Sequence, residues 1–210
     1  MVQDISRKER IYNFIAGNGI KVVQAIFPEY FAKEPVRPTD RYIEYPFVLK
    51  NIKRPPRRIL DVGCSGSMFP LLLKALGYDV IGVDIRQHPM ADRFRFIKKS
   101  ICDMTGPSGF FDVITAISTI EHIGLKGRYG ENVENIFEDR KAIARIHNLL
   151  KPKGIFLMTV PFCKHWHVDK NHRIYNHFSL LCMLKNFKFK YTTLPSPEAN
   201  YDIALIRATK

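Results

Sequence analysis

Short apolar runs alternate with segments of helical spacing over most of this chain. The first run, residues 59–62, enters a loop of small residues and then a leucine-rich segment, residues 68–76, which Gly77 ends. A second apolar run, residues 80–83, leads to Asp84. This order of elements predicts a βαβ unit, in which two parallel strands flank a helix.

Further elements follow the same alternation. Strands are predicted at residues 94–97, 110–116 and 155–160, with two closing strands at 187–194 and 201–207 that pair in antiparallel fashion. Helices are predicted at residues 40–52, over a cleft, at 132–150 with Asn132 as the cap, and at 179–185, with helical patches in 5–31. The pattern predicts an α/β fold: a doubly wound, Rossmann-like sandwich with a mostly parallel seven-stranded sheet and an antiparallel C-terminal edge.

The 210 residues are expected to form one domain, with an N-terminal helical cap at 1–54 and a Rossmann-like core at 55–210. Since no apolar leader and no membrane-spanning run is seen, a cytoplasmic protein is expected. The four cysteines lie far apart, which disfavours a zinc ribbon or a disulfide framework. The net charge of +13 favours an anionic partner, but the charges are scattered, so general solubility explains them equally well.

The loop at residues 63–67 carries the first chemical signal. Gly63 and Gly66 leave backbone N–H groups open to a ligand, and a carboxylate at Asp84 can accept hydrogen bonds from a ribose diol. The loop lacks the third glycine of the dinucleotide-binding fingerprint, and a second acid, Asp103, follows the third predicted strand.

Five segments, in order, resemble the class I S-adenosylmethionine-dependent methyltransferases: ILDVGCSGS, VIGVDI, SICDM, FDVITAISTIEHIG and LLKPKGIFLMTVPF. The resemblance covers roughly residues 40–210. RYIEYPFVLKNI and STIEHIGLKGRYG further resemble a subgroup of small methyltransferases that are often encoded among polysaccharide and glycan biosynthesis genes.

The resemblance implies S-adenosylmethionine as the cofactor and gives residues their roles. Asp61 would face the ammonium group, Asp84 the ribose hydroxyls and Asp103 the adenine amino group. Ile117 and Ser118 would lie beside the transferred methyl. The implied cofactor-binding set is Asp61, Gly63, Cys64, Gly66, Asp84, Ile85, Asp103, Met104, Ile117 and Ser118.

Ser65 and Ser67 stand where the family commonly has glycine. Their side chains could crowd the cofactor or donate hydrogen bonds to it. A fold that has lost its cofactor is therefore an alternative.

Glu121 and His122 are the candidate catalytic residues. A hydroxyl or protonated amine needs a base, and an imidazole oriented by a carboxylate can remove its proton. The alternative is that both residues only shape the loop after the fourth predicted strand.

A histidine-rich segment supplies a second cluster: His165, His167, Asp169, His172 and His177. Imidazole and carboxylate groups could bind a divalent ion beside Glu121 and His122, as in small-RNA 2′-O-methyltransferases. The spacing is not a standard ligand motif, so we predict a polar substrate loop and no metal. Arg128 and Tyr129 could meet an anionic or sugar acceptor, or lie in a solvated loop.

The acceptor is expected to be a small molecule or glycan, anionic ones included, methylated at oxygen. RNA is the alternative enzyme substrate and a non-catalytic binding module the alternative class. Nucleic acid is disfavoured because the densest basic run (Lys50, Lys53, Arg54, Arg57 and Arg58) precedes the first strand, away from the predicted site. No motif for methylating adenine amines or cytosine C5 is found, and the sequence does not indicate an oligomeric state.

Overall fold

A computed structural model describes residues 39–125, 135, 137–169 and 172–210. The predictions for residues 5–31, Arg128, Tyr129 and Asn132 lie outside these residues. Within the described part, the helices are α1 Arg41–Asn51, α2 Phe69–Ala75, α3 Glu138–Leu149 and α4 His177–Met183. The strands are β1 Arg58–Val62, β2 Asp79–Asp84, β3 Arg95–Lys98, β4 Phe111–Ile117, β5 Leu150–Phe162, β6 His167–Val168, β7 Arg173–Ile174, β8 Lys188–Pro195 and β9 Asp202–Thr209.

Seven of these strands form one sheet in the order β3-β2-β1-β4-β5-β9-β8. The first five run parallel, whereas β9 is antiparallel to both β5 and β8. The order reverses between β1 and β4, so ligands are expected outside the carboxyl ends of these two strands. The predicted doubly wound sheet with an antiparallel C-terminal pair is confirmed.

Both faces of the sheet are covered, because its central strands are apolar on both sides. One core cluster contains residues of α3, such as Ile146, and of α4, such as Leu180. The other contains Val48 of α1 and Leu73 of α2. The segment at residues 40–52 is therefore a helix, as predicted, and it belongs to the compact unit of residues 39–210.

Two predicted elements have bounds that are wrong by more than two residues. Helix α3 begins at Glu138, because a turn precedes it in which the side chain of Asn135 accepts from the N–H of Phe137 at 3.1 Å. Phe137 is 54% exposed and so does not belong to the buried helix face. Strand β5 also extends well beyond residues 155–160. An irregularity in its pairing between Phe111 and Val113 of β4 accommodates Pro152, and the strand runs past Pro161 to Phe162.

None of the helices in the described ranges is long and apolar enough to span a membrane. The carboxyl ends of β1, β2 and β4 lie next to one another, with Val62 paired to Val83 on one side and to Ala116 on the other. Four connections leave this edge: the glycine loop after β1 and the turns after β2, β3 and β4. These connections build the candidate site.

Candidate active site

Gly63 begins the loop after β1 in a conformation that favours glycine. Its φ is +76°, and its N–H donates to the carbonyl of Val83 at 2.8 Å. A Cβ at this position would lie 2.3 Å from the Thr119 side chain. Any larger residue would therefore push apart the loops that follow β1 and β4.

Asp84 ends β2 with a buried carboxylate that the neighbouring backbone holds in place. Its Oδ2 accepts from the N–H of Ser65 at 2.9 Å, and its Oδ1 accepts from the N–H of Arg86 at 2.8 Å. The acid is thus fixed against the glycine loop with acceptor capacity left over.

Ser65 and Ser67, which stand where the resemblance implies glycine, bond to the protein itself. The Ser65 hydroxyl donates to the carbonyl of Arg86 at 2.8 Å. Oγ of Ser67 lies 2.8 Å from the Tyr45 hydroxyl of α1 and accepts from the N–H of Phe69 at 3.0 Å. The second serine thereby supports the start of α2 and ties the glycine loop to α1.

A first cavity of about 630 Å³, counted with its open mouth, lies over these loops. It brings together five residues that the sequence placed at the site: Gly63, Asp84, Ile85, Ser118 and His122. It also has lining residues that the sequence analysis missed: Val62, Val83, Arg86, Lys99, Ser100, Ile101, Thr119, Ile123 and Leu125. Ser100 and Ile101 belong to the SICDM segment, in which the resemblance gave a role to the acid Asp103 and to Met104.

That acid, Asp103, does not line the first cavity. Residues Ile101–Asp103 form a 3-10 turn, which leaves the Asp103 side chain 62% exposed and 3.5 Å from Nζ of Lys141. Met104 is buried in the core instead, and its carbonyl accepts from Arg145.

Four other predicted cofactor residues are also absent from the cavity lining. Cys64 and Ile117 are buried, at 1% and 8% exposed, and burial raises the pKa of the Cys64 thiol. Gly66 has open space around it, since the nearest atom to an added Cβ is Nη2 of Arg86 at 3.8 Å. The fourth is Asp61.

Asp61 is a buried acid inside the sheet. It pairs with Thr115 of β4, whose hydroxyl donates to Oδ1 of Asp61 at 2.6 Å. Burial raises the pKa of Asp61 to about 7, although the bond from Thr115 and the charge of Arg41 oppose the shift. Its charge state therefore changes near neutral pH.

A second cavity, of about 720 Å³ with its mouth, adjoins the first, and Ser118 and His122 line both. Its other lining residues are mostly polar or ionisable: Thr39, Asp40, Arg41, Glu121, Pro161, His172, Glu198, Tyr201 and Ile203. Burial raises the pKa of Tyr201 to about 12, with smaller contributions from Asp40, Glu121 and Glu198. The Tyr201 hydroxyl therefore stays protonated in the neutral range.

The two candidate catalytic residues lie side by side at this junction. Nε2 of His122 is 3.7 Å from Oε1 of Glu121, and both residues line the second cavity. Their loop is held from below by the buried Arg173, which donates to the carbonyls of Glu121 and Ile123 at 3.3 and 2.7 Å. A charged donor to these carbonyls fixes the backbone on either side of His122.

The residues of the histidine-rich segment do not meet at one point, although His172 contacts Asp169, with its Nε2 3.3 Å from Oδ2 of Asp169. His177 bonds to the Tyr191 hydroxyl, His167 lies near Cys163, and His172 turns towards His122 and Tyr201. Within the described ranges, no group of three or more His, Cys, Asp or Glu residues is arranged to hold a metal ion.

Glu44 of α1 was also missed. It is fully buried, and its Oε1 accepts from the hydroxyls of Ser118 and Thr159, both at 2.5 Å. Its spacing could have indicated burial, because Glu44 precedes Val48 by four residues in the aromatic segment 40–52 and so lies on the same helix face.

Solved structures share this architecture. The 1,6-didemethyltoxoflavin-N1-methyltransferase of Burkholderia thailandensis, with 1,6-didemethyltoxoflavin and S-adenosylhomocysteine bound, is 19% identical at a TM-score of 0.61, over 96% of this chain and 89% of its own. Phosphoethanolamine N-methyltransferase 2 of Haemonchus contortus, in complex with S-adenosyl-L-methionine, is 15% identical at a TM-score of 0.63. The match covers 80% of this chain and 52% of that protein's chain. The [4+2]-cyclase SpnF is 16% identical at a TM-score of 0.65, and the match covers 85% of this chain and 84% of the cyclase chain. At these identities the likeness shows the fold, and the cyclase illustrates that a fold does not define a reaction.

Among curated proteins, the ubiquinone biosynthesis O-methyltransferase of Pseudomonas aeruginosa (strain UCBPP-PA14) is 25% identical over 116 residues. This match covers 50% of the present chain and 44% of the relative, so it spans less than half of that protein's length.

A family model described as a methyltransferase domain matches residues 33–190, well over half of the chain. The chain therefore belongs to the methyltransferase domain family. The resemblance drawn from the five sequence segments is confirmed at this level.

Proposed function

We propose that this chain is an S-adenosylmethionine-dependent methyltransferase that methylates an oxygen of a small-molecule or glycan-type acceptor. The observation that carries the proposal is the junction of two cavities at Ser118 and His122, above the carboxyl ends of β1 and β4. In a doubly wound sheet this is where ligands bind, and methyl transfer needs two ligands that meet.

The residues of the first cavity fit the cofactor. Asp84 is buried but keeps acceptor capacity for the ribose hydroxyls. Gly66, in the same glycine loop but outside the lining of this cavity, leaves its backbone open to close approach. Ser100 and Ile101 offer a polar and an apolar contact for the adenine ring, a role first given to Asp103. When bound, S-adenosylmethionine supplies a methyl group activated by its positively charged sulfur.

His122 takes the proton of the acceptor hydroxyl as that oxygen gains the methyl group, and Glu121 orients the imidazole. The positions of both residues support this role, since His122 lines both cavities and Glu121 lines the second. The partial match to an O-methyltransferase supports oxygen as the accepting atom.

The charges of the second cavity favour a neutral acceptor over an anionic one. Its described lining holds three carboxyl groups, on Asp40, Glu121 and Glu198, against one guanidinium, on Arg41. That guanidinium already pairs with Glu44. Burial and the nearby Asp40 raise the pKa of Glu198, as expected where carboxyl groups crowd together. An anionic acceptor would add to this repulsion.

RNA is the second candidate acceptor, because the net charge is +13. The placement of the basic run argues against it. Arg58 begins β1 and pairs with Asp79, and Arg57 lies 3.9 Å from Asp112, so both lie at the sheet edge opposite the two cavities.

Calorimetric titration with S-adenosylmethionine and S-adenosylhomocysteine tests the cofactor. We expect saturable heat and a rise in Tm; if neither appears, the chain is a non-catalytic module of this fold. Transfer of labelled methyl from S-adenosylmethionine into fractionated cell extract then tests the acceptor. Counts in small-molecule or glycan fractions support the proposal, whereas counts in RNA, with salt-sensitive binding, support the second candidate.

A further inference from the structure

The buried carboxylate of Glu44 lies between α1 and the carboxyl ends of β4 and β5. Besides the two hydroxyls at Oε1, its Oε2 pairs with Nη1 of Arg41 at 2.5 Å. A buried charge is stable only when donors surround it, and here both oxygens have one. The carboxylate is therefore built into the structure as a fixed acceptor.

One of its donors, Ser118, has an unusual backbone. Its φ is +43°, in the left-handed region that residues other than glycine rarely adopt. Such a conformation persists where the surroundings determine it. Here the N–H of Ser118 donates to Thr159, at 2.9 Å to Oγ1 and 3.2 Å to the carbonyl, while the Ser118 hydroxyl donates to Glu44.

The turn at Ser118 directs the chain that follows it. The hydroxyl of Thr119 donates to the carbonyl of Val62 at 3.2 Å, which places this residue against Gly63. The N–H of His122 then donates to the carbonyl of Thr119 at 3.1 Å. Ser118 and His122 both reach the junction of the two cavities because of this path.

We propose that Glu44 is a positioning residue: it holds Ser118 in the left-handed conformation that places the segment from Ser118 to His122 between cofactor and acceptor. The proposal rests on the proposed methyl transfer for its kinetic consequence, because a small displacement of positioning groups slows a transfer reaction. Glu44 touches neither ligand; it acts through Ser118.

The test uses the full chain with Glu44→Gln, Ser118→Gly and the two combined. Glutamine keeps the volume, but whichever way its amide is turned, either the two hydroxyls or Arg41 lose an acceptor oxygen. Glycine at 118 adopts a positive φ without steric cost. Loss of Glu44 should therefore matter less once glycine is present. A cost that comes only from the contacts of Glu44 with Thr159 and Arg41 would be the same in both backgrounds.

The acceptor in this assay is the cell-extract fraction that takes up labelled methyl. We expect Glu44→Gln to lower the maximal rate of methyl transfer about tenfold, with less than about a threefold change in KM for S-adenosylmethionine. Ser118→Gly sets the reference rate for its own background, because Ser118 lines both cavities, and the double variant should match Ser118→Gly within about threefold. A folded Glu44→Gln protein with full rate, or a further tenfold loss in the double variant, would overturn the proposal.

If Glu44→Gln does not fold, the proposal is tested by comparing the methyl-transfer rates of Ser118→Ala and Ser118→Gly. Alanine removes the same hydroxyl but disfavours the positive φ, so a rate about tenfold below glycine supports the proposal and equal rates overturn it.

Hydrogen exchange of the amides at residues 119–122 separates this inference from the proposed function, because it needs no turnover. The proposal is supported if Glu44→Gln speeds exchange in the unmodified chain but not in the chain that carries Ser118→Gly. This support holds even if no methyl transfer is found. If transfer occurs but exchange is unchanged in both backgrounds, the positioning role is refuted while the function stands.

Discussion

The N–H of Ser65 donates to Oδ2 of Asp84 at 2.9 Å, so the glycine loop and the acid at the end of β2 form one unit. A substitution at Asp84 removes this support as well as any bond to a ribose. We expect Asp84→Ala to weaken S-adenosylmethionine binding by at least about 100-fold, from two lost charge-assisted hydrogen bonds. Titration calorimetry measures this directly.

Asp103→Ala is the matched control, because Asp103 is exposed and pairs with Lys141. Its affinity should stay within about threefold of the unmodified chain. If the two variants lose affinity for S-adenosylmethionine equally, Asp103 binds the adenine as the resemblance implies. Unchanged affinity in Asp84→Ala would refute the assignment of Asp84 to the ribose.

The sequence predicted the elements of the sheet because apolar runs and a glycine loop are local signals. The position of Asp84 could be predicted for the same reason, since it ends a buried strand and therefore lies at the carboxyl edge of the sheet, where it lines the first cavity. The position of Asp103 outside the first cavity could not be predicted, because a single 3-10 turn decides which side chains of SICDM face the cavity.

Glu44 could not be assigned from the sequence for a different reason. Its partners Ser118 and Thr159 are 74 and 115 residues away, and no local pattern encodes such contacts. The start of α3 was misplaced because the turn at Asn135 competes with helix formation through its side chain.

Ser67→Gly introduces the glycine that the family resemblance implies and tests whether serine impairs the site. Since Ser67 bonds to Tyr45 and to the N–H of Phe69, we expect the change to cost stability, about 1–2 kcal/mol from the lost hydrogen bonds. S-adenosylmethionine affinity should change by less than about threefold. Urea denaturation and calorimetry measure the two quantities.

Tyr45→Phe is the control, because it removes the same contact from the other side. The double variant should cost less than the sum of the single variants, since the two hydroxyls bond to each other. A gain in affinity above tenfold for Ser67→Gly would show instead that serine obstructs the cofactor.

The titration of Asp61 makes the free energy of unfolding depend on pH. Its pKa is raised to about 7 in the folded state, mainly by burial, from 3.8. Between these values the folded state binds the proton and the unfolded state does not, so this group lowers the free energy of unfolding as pH rises from about 4 to about 7. The full effect is of the order of 4 kcal/mol.

Asp61→Asn removes this titration while it can keep the bond from Thr115. We expect the variant to gain stability relative to the unmodified chain as pH rises through that window, measured by urea denaturation without cofactor at several pH values. A constant difference between the two proteins would mean that Asp61 does not titrate there.

His122→Gln tests the proposed base. Glutamine keeps hydrogen-bonding capacity but cannot take a proton, so the maximal rate of methyl transfer should fall about 100-fold or more. S-adenosylmethionine affinity should change by less than about threefold, because the imidazole is only one of the groups lining the first cavity. His165→Gln is the matched control in the exposed segment before β6 and should keep the original rate. If His122→Gln keeps its rate as well, proton removal belongs to another group or the acceptor needs none.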